Sequence, residues 1–136
     1  MQFYKNEYSR GTLAKLSGVN SETIRYYESI DLMPEPPRTD GGHRIYDESY
    51  LKRLSFIRRT RELGFTLKEV RALLELVDGG DYTCGEIRDR TVAHLNDVTQ
   101  KIRDLQKMQR TLKSMASKCD GGQVPECQII DRLYAS

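Results

Sequence analysis

From Gly85 to Ser117 the chain carries no proline and no glycine after the first residue, and its apolar side chains recur at alternating steps of three and four. Thr91, Leu95, Val98, Ile102, Leu105, Leu112 and Ala116 fall on one seam, with Gln109 the single polar residue in it. This spacing is that of a continuous α-helix with one apolar stripe. At about 1.5 Å of rise per residue the helix separates its ends by roughly 50 Å, far beyond what a small domain can wrap. A solitary stripe of that length needs a partner. The sequence has no internal repeat to supply one, so a second copy in a two-stranded coiled coil is the simplest partner, with packing back onto its own domain as the alternative. The remaining sequence fits that reading. A chain of 136 residues with 38% apolar residues, no Trp and only 3 Phe is one small domain plus an appendage with a thin aliphatic core, and such chains often oligomerise.

Ahead of the long helix lies a series of short elements. Ser9 can cap a helix from about Arg10 to Ser17, with Leu13 and Leu16 on one face and Gly18 at its end. After the turn Gly18-Val19-Asn20, a second helix from Ser21 to Ile30 turns Ile24 and Tyr27 inward and leaves Ser21, Thr23, Arg25 and Tyr26 more exposed. Two short helices joined by a glycine turn predict a helix-turn-helix. Pro34, Pro36 and Pro37 forbid further helix. Asp40-Gly41-Gly42 supplies a hairpin turn flanked by Arg38 and Arg44-Ile45-Tyr46 as two short strands, which together make a wing. Asp47 caps a third helix to about Leu63, with Leu51, Leu54 and Ile57 facing inward. Thr66 and Glu69 form a capping box for a fourth helix built on Leu67, Val70, Leu73, Leu74 and Val77, and Asp78-Gly79-Gly80-Asp81 ends it. The expected organisation is mainly α: a winged helix-turn-helix over 1–80, a dimerisation helix over 81–118, and a loop with a short terminal helix over 119–136 that carries Ile129, Ile130 and Leu133.

The formal net charge of +2 selects no partner, but its distribution does. Seven bases (Arg38, Arg44, Lys52, Arg53, Arg58, Arg59, Arg61) face three acids between residues 38 and 61. Together with the glycine turn and the wing, this predicts double-stranded DNA as the partner. The second helix would enter the major groove with Arg25 and Tyr26 near bases or phosphates, Ser21 and Thr23 beside them. The wing would bring Arg38, Arg44 and Tyr46 to the backbone, His43 at its tip could enter a groove, and Arg61 extends the basic run. The sequence has no nucleophile elbow, glycine-rich phosphate loop or His-Glu-x-x-His pattern, so catalysis has no support. No apolar run reaches the roughly 18 residues of a membrane span, and the start lacks a signal-peptide core. A cytoplasmic protein with no membrane partner is expected.

Three cysteines are too few for a disulfide framework in a reducing compartment. Cys84 precedes the long helix, and Cys119 and Cys127 bracket the loop after it. A straight helix keeps Cys84 away from the other two within one chain. An antiparallel dimer places it beside the pair of the other subunit, giving two equivalent sites. Three thiolates suit soft ions such as mercury(II), cadmium(II) or lead(II). Zinc(II), which usually takes four ligands, would need Asp120, Glu126 or water to complete its shell. His94, one residue before Leu95, reads as a packed or surface residue. A disulfide-forming redox sensor is the alternative from a different class.

The residues Leu13-Ala14-Lys15 with Gly18-Val19, Glu22-Thr23-Ile24-Arg25-Tyr26-Tyr27-Glu28, Gly42-His43-Arg44-Ile45-Tyr46 and Glu62-Leu63-Gly64-Phe65-Thr66-Leu67 resemble the MerR family of bacterial transcriptional regulators over nearly the whole chain. The placement of the cysteines is similar to that of the mercury-responsive members. The resemblance implies a homodimer with a winged helix-turn-helix at each end of an antiparallel coiled coil, bound to a dyad in a promoter with an overlong spacer. The effector-bound form bends and untwists that DNA so that RNA polymerase engages both promoter elements, and a resistance operon is activated. It implies that Cys84, which copper(I) sensors lack, joins Cys119 and Cys127 as metal ligands. The loop departs from the mercury-responsive pattern: its seven residues between cysteines are one fewer and closer to the copper-sensor loop. The resemblance therefore implies mercury(II) first, with cadmium, lead or zinc as near alternatives.

Overall fold

The computed structural model describes residues 7–118, 121 and 127–135. It is mainly helical, with no extended strand among the described residues, and divides into two compact units, Met1–Tyr82 and Thr83–Ser136.

The first unit holds four helices. In α1 (Arg10–Ser17), the Ser9 side chain accepts from the backbone N–H of Thr12, as an N-cap should. Leu13 is wholly buried, but Leu16 is 55% exposed and Ser17 is buried in its stead, contrary to the expected Leu13/Leu16 face. On a helix Ser17 lies about 40° from Leu13 and Leu16 about 60° to the other side, and the core reaches the Ser17 flank. Ser17 is compatible with burial because its Oγ accepts from the Val19 N–H at 3.1 Å. Gly18 ends α1 at φ 73°, and an added Cβ there would sit 3.2 Å from Arg58 Nη1. This turn requires glycine for both its conformation and its closeness to the Arg58 side chain.

Asn20 caps α2 (Ser21–Ser29), its Oδ1 accepting from the Thr23 N–H at 2.8 Å. Ile24 and Tyr27 face the core. The exit from α2 is held from outside: Arg53 Nε donates to the Leu32 carbonyl at 2.9 Å, Arg71 Nη2 donates to the Ile30 carbonyl, and Leu32 and Met33 insert into the core at 1% exposure each. Between those carbonyls Asp31 adopts φ 59°, a left-handed conformation unusual outside glycine.

Asp47 caps α3 (Glu48–Glu62) through both Ser49 and Tyr50 N–H groups. Leu54 and Ile57 are fully buried, while Leu51 is half-buried and Tyr50, edge-on to Tyr46 with ring centroids 5.2 Å apart, takes the remaining core position. The expected capping box opens α4 (Leu67–Gly79), which buries Val70, Leu73 and Leu74 and ends at Gly80, with φ 70°. Val77 remains 38% exposed. The wing is less regular than expected. In place of two strands there are two isolated antiparallel bridges, Arg38 with Arg44 and Tyr8 with Tyr46. The prolines before Arg38 remove ladder donors, and too few residues remain for a strand. Complete burial of Leu13, Ile24, Leu54 and Ile57, each contributing roughly 1.5–3 kcal/mol, anchors the unit.

The second unit is α5 (Cys84–Ser117) and α6 (Gln128–Tyr134). A reciprocal capping box between Thr83 and Glu86 starts α5, so Cys84 is its first residue and not merely its neighbour. Met115 is 7% exposed, and Met108, Leu112 and Met115 of α5 line a shared apolar groove with Ile129 and Leu133 of α6. Leu112 is still 63% exposed there, and along the rest of the helix Leu95, Ile102 and Leu105 stay 51–62% exposed.

Candidate nucleic-acid interface and metal-binding thiols

Helix α2 shows the geometry of a reading element. Its Ile24/Tyr27 face is locked into the core, and this turns Arg25 and Tyr26 to solvent, Tyr26 at 51% exposure. Ser21 and Thr23 are half-buried at its N-terminal end. Arg25 has no partner among the described residues, which leaves its whole guanidinium fork for a ligand.

Local hydrogen bonds build the wing. The Thr39 N–H donates to the His43 carbonyl at 2.8 Å, the Gly42 N–H to the Thr39 carbonyl at 2.9 Å, and the Ile45 N–H to the Pro37 carbonyl at 2.9 Å. Arg38 Nη1 donates to the Gly42 carbonyl at 3.0 Å, so Arg38 shapes the turn while remaining exposed. Gly42 at φ 84° makes the turn possible. His43 is exposed at the tip. Arg44 is half-buried, and its Nε is a buried donor with no hydrogen-bond partner among the described residues. Such a group costs about 1–3 kcal/mol until an acceptor reaches it. A phosphate oxygen would satisfy it.

The structure corrects the reading of Tyr46. Its side chain is 0% exposed and its hydroxyl donates to Glu28 Oε1 at 2.7 Å, so it cannot meet a phosphate. The alternation of an extended arm turns it into the core, where it contacts Tyr50. The basic run also divides by direction. Arg53 points inward, pairing with Asp78 at 2.8 Å as well as with the Leu32 carbonyl. Arg58 covers Gly18 and lies 3.6 Å from Glu62. Arg61 is exposed but spends Nη1 on the Phe65 carbonyl at 2.8 Å, closing the α3–α4 turn. Lys52 and Arg59 remain exposed.

Two polar residues escaped the sequence reading. Arg10 and Glu28 form an ion pair at 2.8 Å with side-chain exposures of 15% and 11%. Burial opposes the Arg10 charge, yet its contacts with Tyr46 and Glu28 outweigh that and raise its pKa above the ordinary value. Burial, then the Glu28 hydrogen bond, raises Tyr46, with Arg10 opposing. The partners stand 18 and 36 positions apart in sequence, so no local pattern could have joined them.

Of the thiols, Cys84 is exposed at the first turn of α5 and Cys127 is half-buried at the N-cap of α6, both free. Cys119 lies outside the described residues. Because α6 packs on the Met108–Met115 end of α5, Cys127 sits at the end remote from Cys84, and 34 helical residues separate the two ends by about 51 Å. One chain does not bring them together. Both are soft donors suited to thiophilic ions. No described helix is long and apolar enough to cross a membrane.

Two family models match the chain, one described as MerR HTH family regulatory protein over residues 8–77 and one as MerR, DNA binding, over residues 51–115. The mercuric resistance operon regulatory protein of Bacillus cereus is 44% identical over 124 residues, covering 90% of this chain and 94% of its own. Among solved structures, the transcription regulator PbrR691 from Ralstonia metallidurans in complex with lead(II) superposes with a TM-score of 0.83 at 40% identity, over 93% of this chain and 98% of that one. The regulator MerR of Bacillus megaterium in complex with mercury(II) gives 0.75 at 37% identity, over 92% and 97%.

Proposed function

The chain belongs to the MerR family of helix-turn-helix transcriptional regulators, and from that premise we propose that it is a mercury(II)-responsive member acting as a homodimer on promoter DNA in the cytoplasm. The observation that carries the proposal is the placement of its thiols. Cys84 begins α5 and Cys127 lies beside its far end, and the apolar stripe between them leaves Leu95, Ile102 and Leu105 exposed. Covering that stripe with an antiparallel copy brings Cys84 of one subunit to Cys119 and Cys127 of the other. The three thiols would give up their protons and hold a soft divalent ion as thiolates in place of its hydration shell.

On DNA, Arg25 and Tyr26 of α2 enter the major groove, with Ser21 and Thr23 at its N-terminal end. Arg38, His43 and the acceptor-deficient Arg44 take backbone phosphates, and Arg61 keeps its remaining donors for the same purpose. Contacts at both ends of the dimer offset the cost of bending and untwisting the intervening duplex. Metal needs only to bind the distorting state more tightly than the other to shift the population. RNA polymerase then engages both promoter elements.

A second reading, lead(II) with cadmium(II) and zinc(II) as further options, draws support from the 40% identity to the lead-bound regulator. Run-off transcription from the promoter beside the gene, titrated with each metal in turn, separates them. We expect mercury(II) to activate at the lowest concentration. Activation by lead(II), cadmium(II) or zinc(II) at a lower concentration would transfer the assignment to that ion, and activation by air oxidation without metal would replace it with a redox sensor.

A further inference from the structure

Three groups that do not face DNA lie between the elements that do. Tyr46, wholly buried, donates its hydroxyl to Glu28 Oε1 at 2.7 Å. Arg10 Nη2 donates to Oε2 of the same carboxylate at 2.8 Å, and Arg10 Nε donates to the Tyr46 oxygen at 3.1 Å. The ring of contacts is closed: each carboxylate oxygen accepts one bond, the hydroxyl both donates and accepts, and the guanidinium donates twice. Its members come from three elements. Arg10 is the first residue of α1, Glu28 lies in the last turn of α2 one helical step beyond Arg25, and Tyr46 stands two residues after Arg44 on the returning arm of the wing.

We propose that Arg10, Glu28 and Tyr46 are a positioning set that fixes the wing to the recognition helix, so that Arg44 and Arg25 meet DNA at one set separation. The wing needs such a tie because its own structure is slight, with one bridge between Arg38 and Arg44 and one between Tyr8 and Tyr46. Apolar packing is non-directional and would let the arm slide, whereas a guanidinium that donates once to the carboxylate and once to the phenol, with the phenol donating to the same carboxylate, holds angle as well as distance. A buried ion pair contributes little net stability over an apolar replacement of the same volume. The arrangement therefore makes more sense as geometry than as adhesion.

The inference rests on the DNA-binding reading above, and wild-type protein binding its promoter fragment specifically is the control that tests that reading separately. Tyr46→Phe keeps the ring and its packing against Tyr50 but removes the hydroxyl, and Glu28→Gln keeps shape while removing charge. For each variant and for the pair, operator affinity is measured at fixed salt with hydroxyl-radical footprints and guanine methylation protection. We expect each single variant to bind about ten-fold more weakly. Backbone protection should be lost under the wing while major-groove protection under α2 persists, and the double variant should be no weaker than the worse single one, as coupled members of one network behave. Amide hydrogen exchange of free Tyr46→Phe should accelerate at Thr39–Ile45 and not in α2. Unchanged affinity of the folded variants, or a uniform weakening of wing and major-groove protection together, would overturn the proposal and leave the three residues as ordinary elements of stability.

Discussion

Truncating the exposed stripe of α5 should dissolve the dimer by an amount that can be worked out in advance. Ile102 and Leu105 are 51% and 62% exposed on the single chain, and neither lines the groove that α6 fills. Complete burial of such a side chain contributes about 1.5–3 kcal/mol, so covering the exposed half or so contributes about 1–2 kcal/mol. Replacement by alanine removes most of this and leaves a gap against the partner. A homodimer carries each substitution twice, so Ile102→Ala with Leu105→Ala should weaken association by roughly 4–8 kcal/mol, or about three to six decades in Kd. Alanine is the better helix former, so helix content should hold and only the pairing should fail. Sedimentation equilibrium from nanomolar to high micromolar concentration reads the Kd directly, with circular dichroism reporting the helix. Arg103→Ala, exposed and off the seam, is the control and should leave the Kd unchanged. A shift of less than ten-fold in the double variant would refute the reasoning, because the stripe would then be covered by something other than a second copy.

Removing the guanidinium in Arg25→Ala or Arg44→Ala should each weaken operator binding by about 1–3 kcal/mol, measured by fluorescence anisotropy at physiological salt, with metal stoichiometry unaltered. Gly42→Ala meets nothing within 4 Å but must hold φ 84°, so it should cost about 1 kcal/mol of wing order, read as weaker operator binding with little change in Tm. The Tyr50 phenol is pushed up to about 12, first by burial and then by Asp47 and other negative groups. A raised pKa on a group that is neutral when protonated means its contribution is whole below pH 10 and lost as pH climbs through about 12. Circular dichroism should therefore show alkaline unfolding setting in across that window, and Tyr50→Phe should move the onset upward. For the thiols, a heterodimer of Cys84→Ser chains with Cys119→Ser, Cys127→Ser chains should recover one tight mercury site while both parent homodimers have none. Absence of recovery in verified heterodimers would exclude a site shared between subunits.

Elements whose signals are local were legible before any coordinates. The Thr66/Glu69 capping box, Ser9 and Asp47 as caps, and the glycine ends of α1 and α4 are all written within four residues of where they act. The long helix was legible because its period persists over many turns. What was not legible depends on which side of an element the rest of the fold occupies. Leu16 and Ser17 differ by one position, and only the location of α3 decides which is covered. Tyr46 resembled its basic neighbours in the wing, yet the arm's pleat turns it inward to a carboxylate 18 residues away. In the same way, Arg53 belongs to the basic run that reads as facing DNA, and the structure spends it on the Leu32 carbonyl at the exit of α2 and on Asp78.

The unbroken run of α5 also limits how this protein can change length. Inserting a single residue would rotate all that follows by about 100°, splitting the stripe into two halves that face different ways. Seven residues restore the facing to within about 20° and extend the helix by about 10.5 Å. The helix thus acts as a ruler graduated in heptads. A lineage that lengthens it keeps one continuous stripe only by moving in steps of seven.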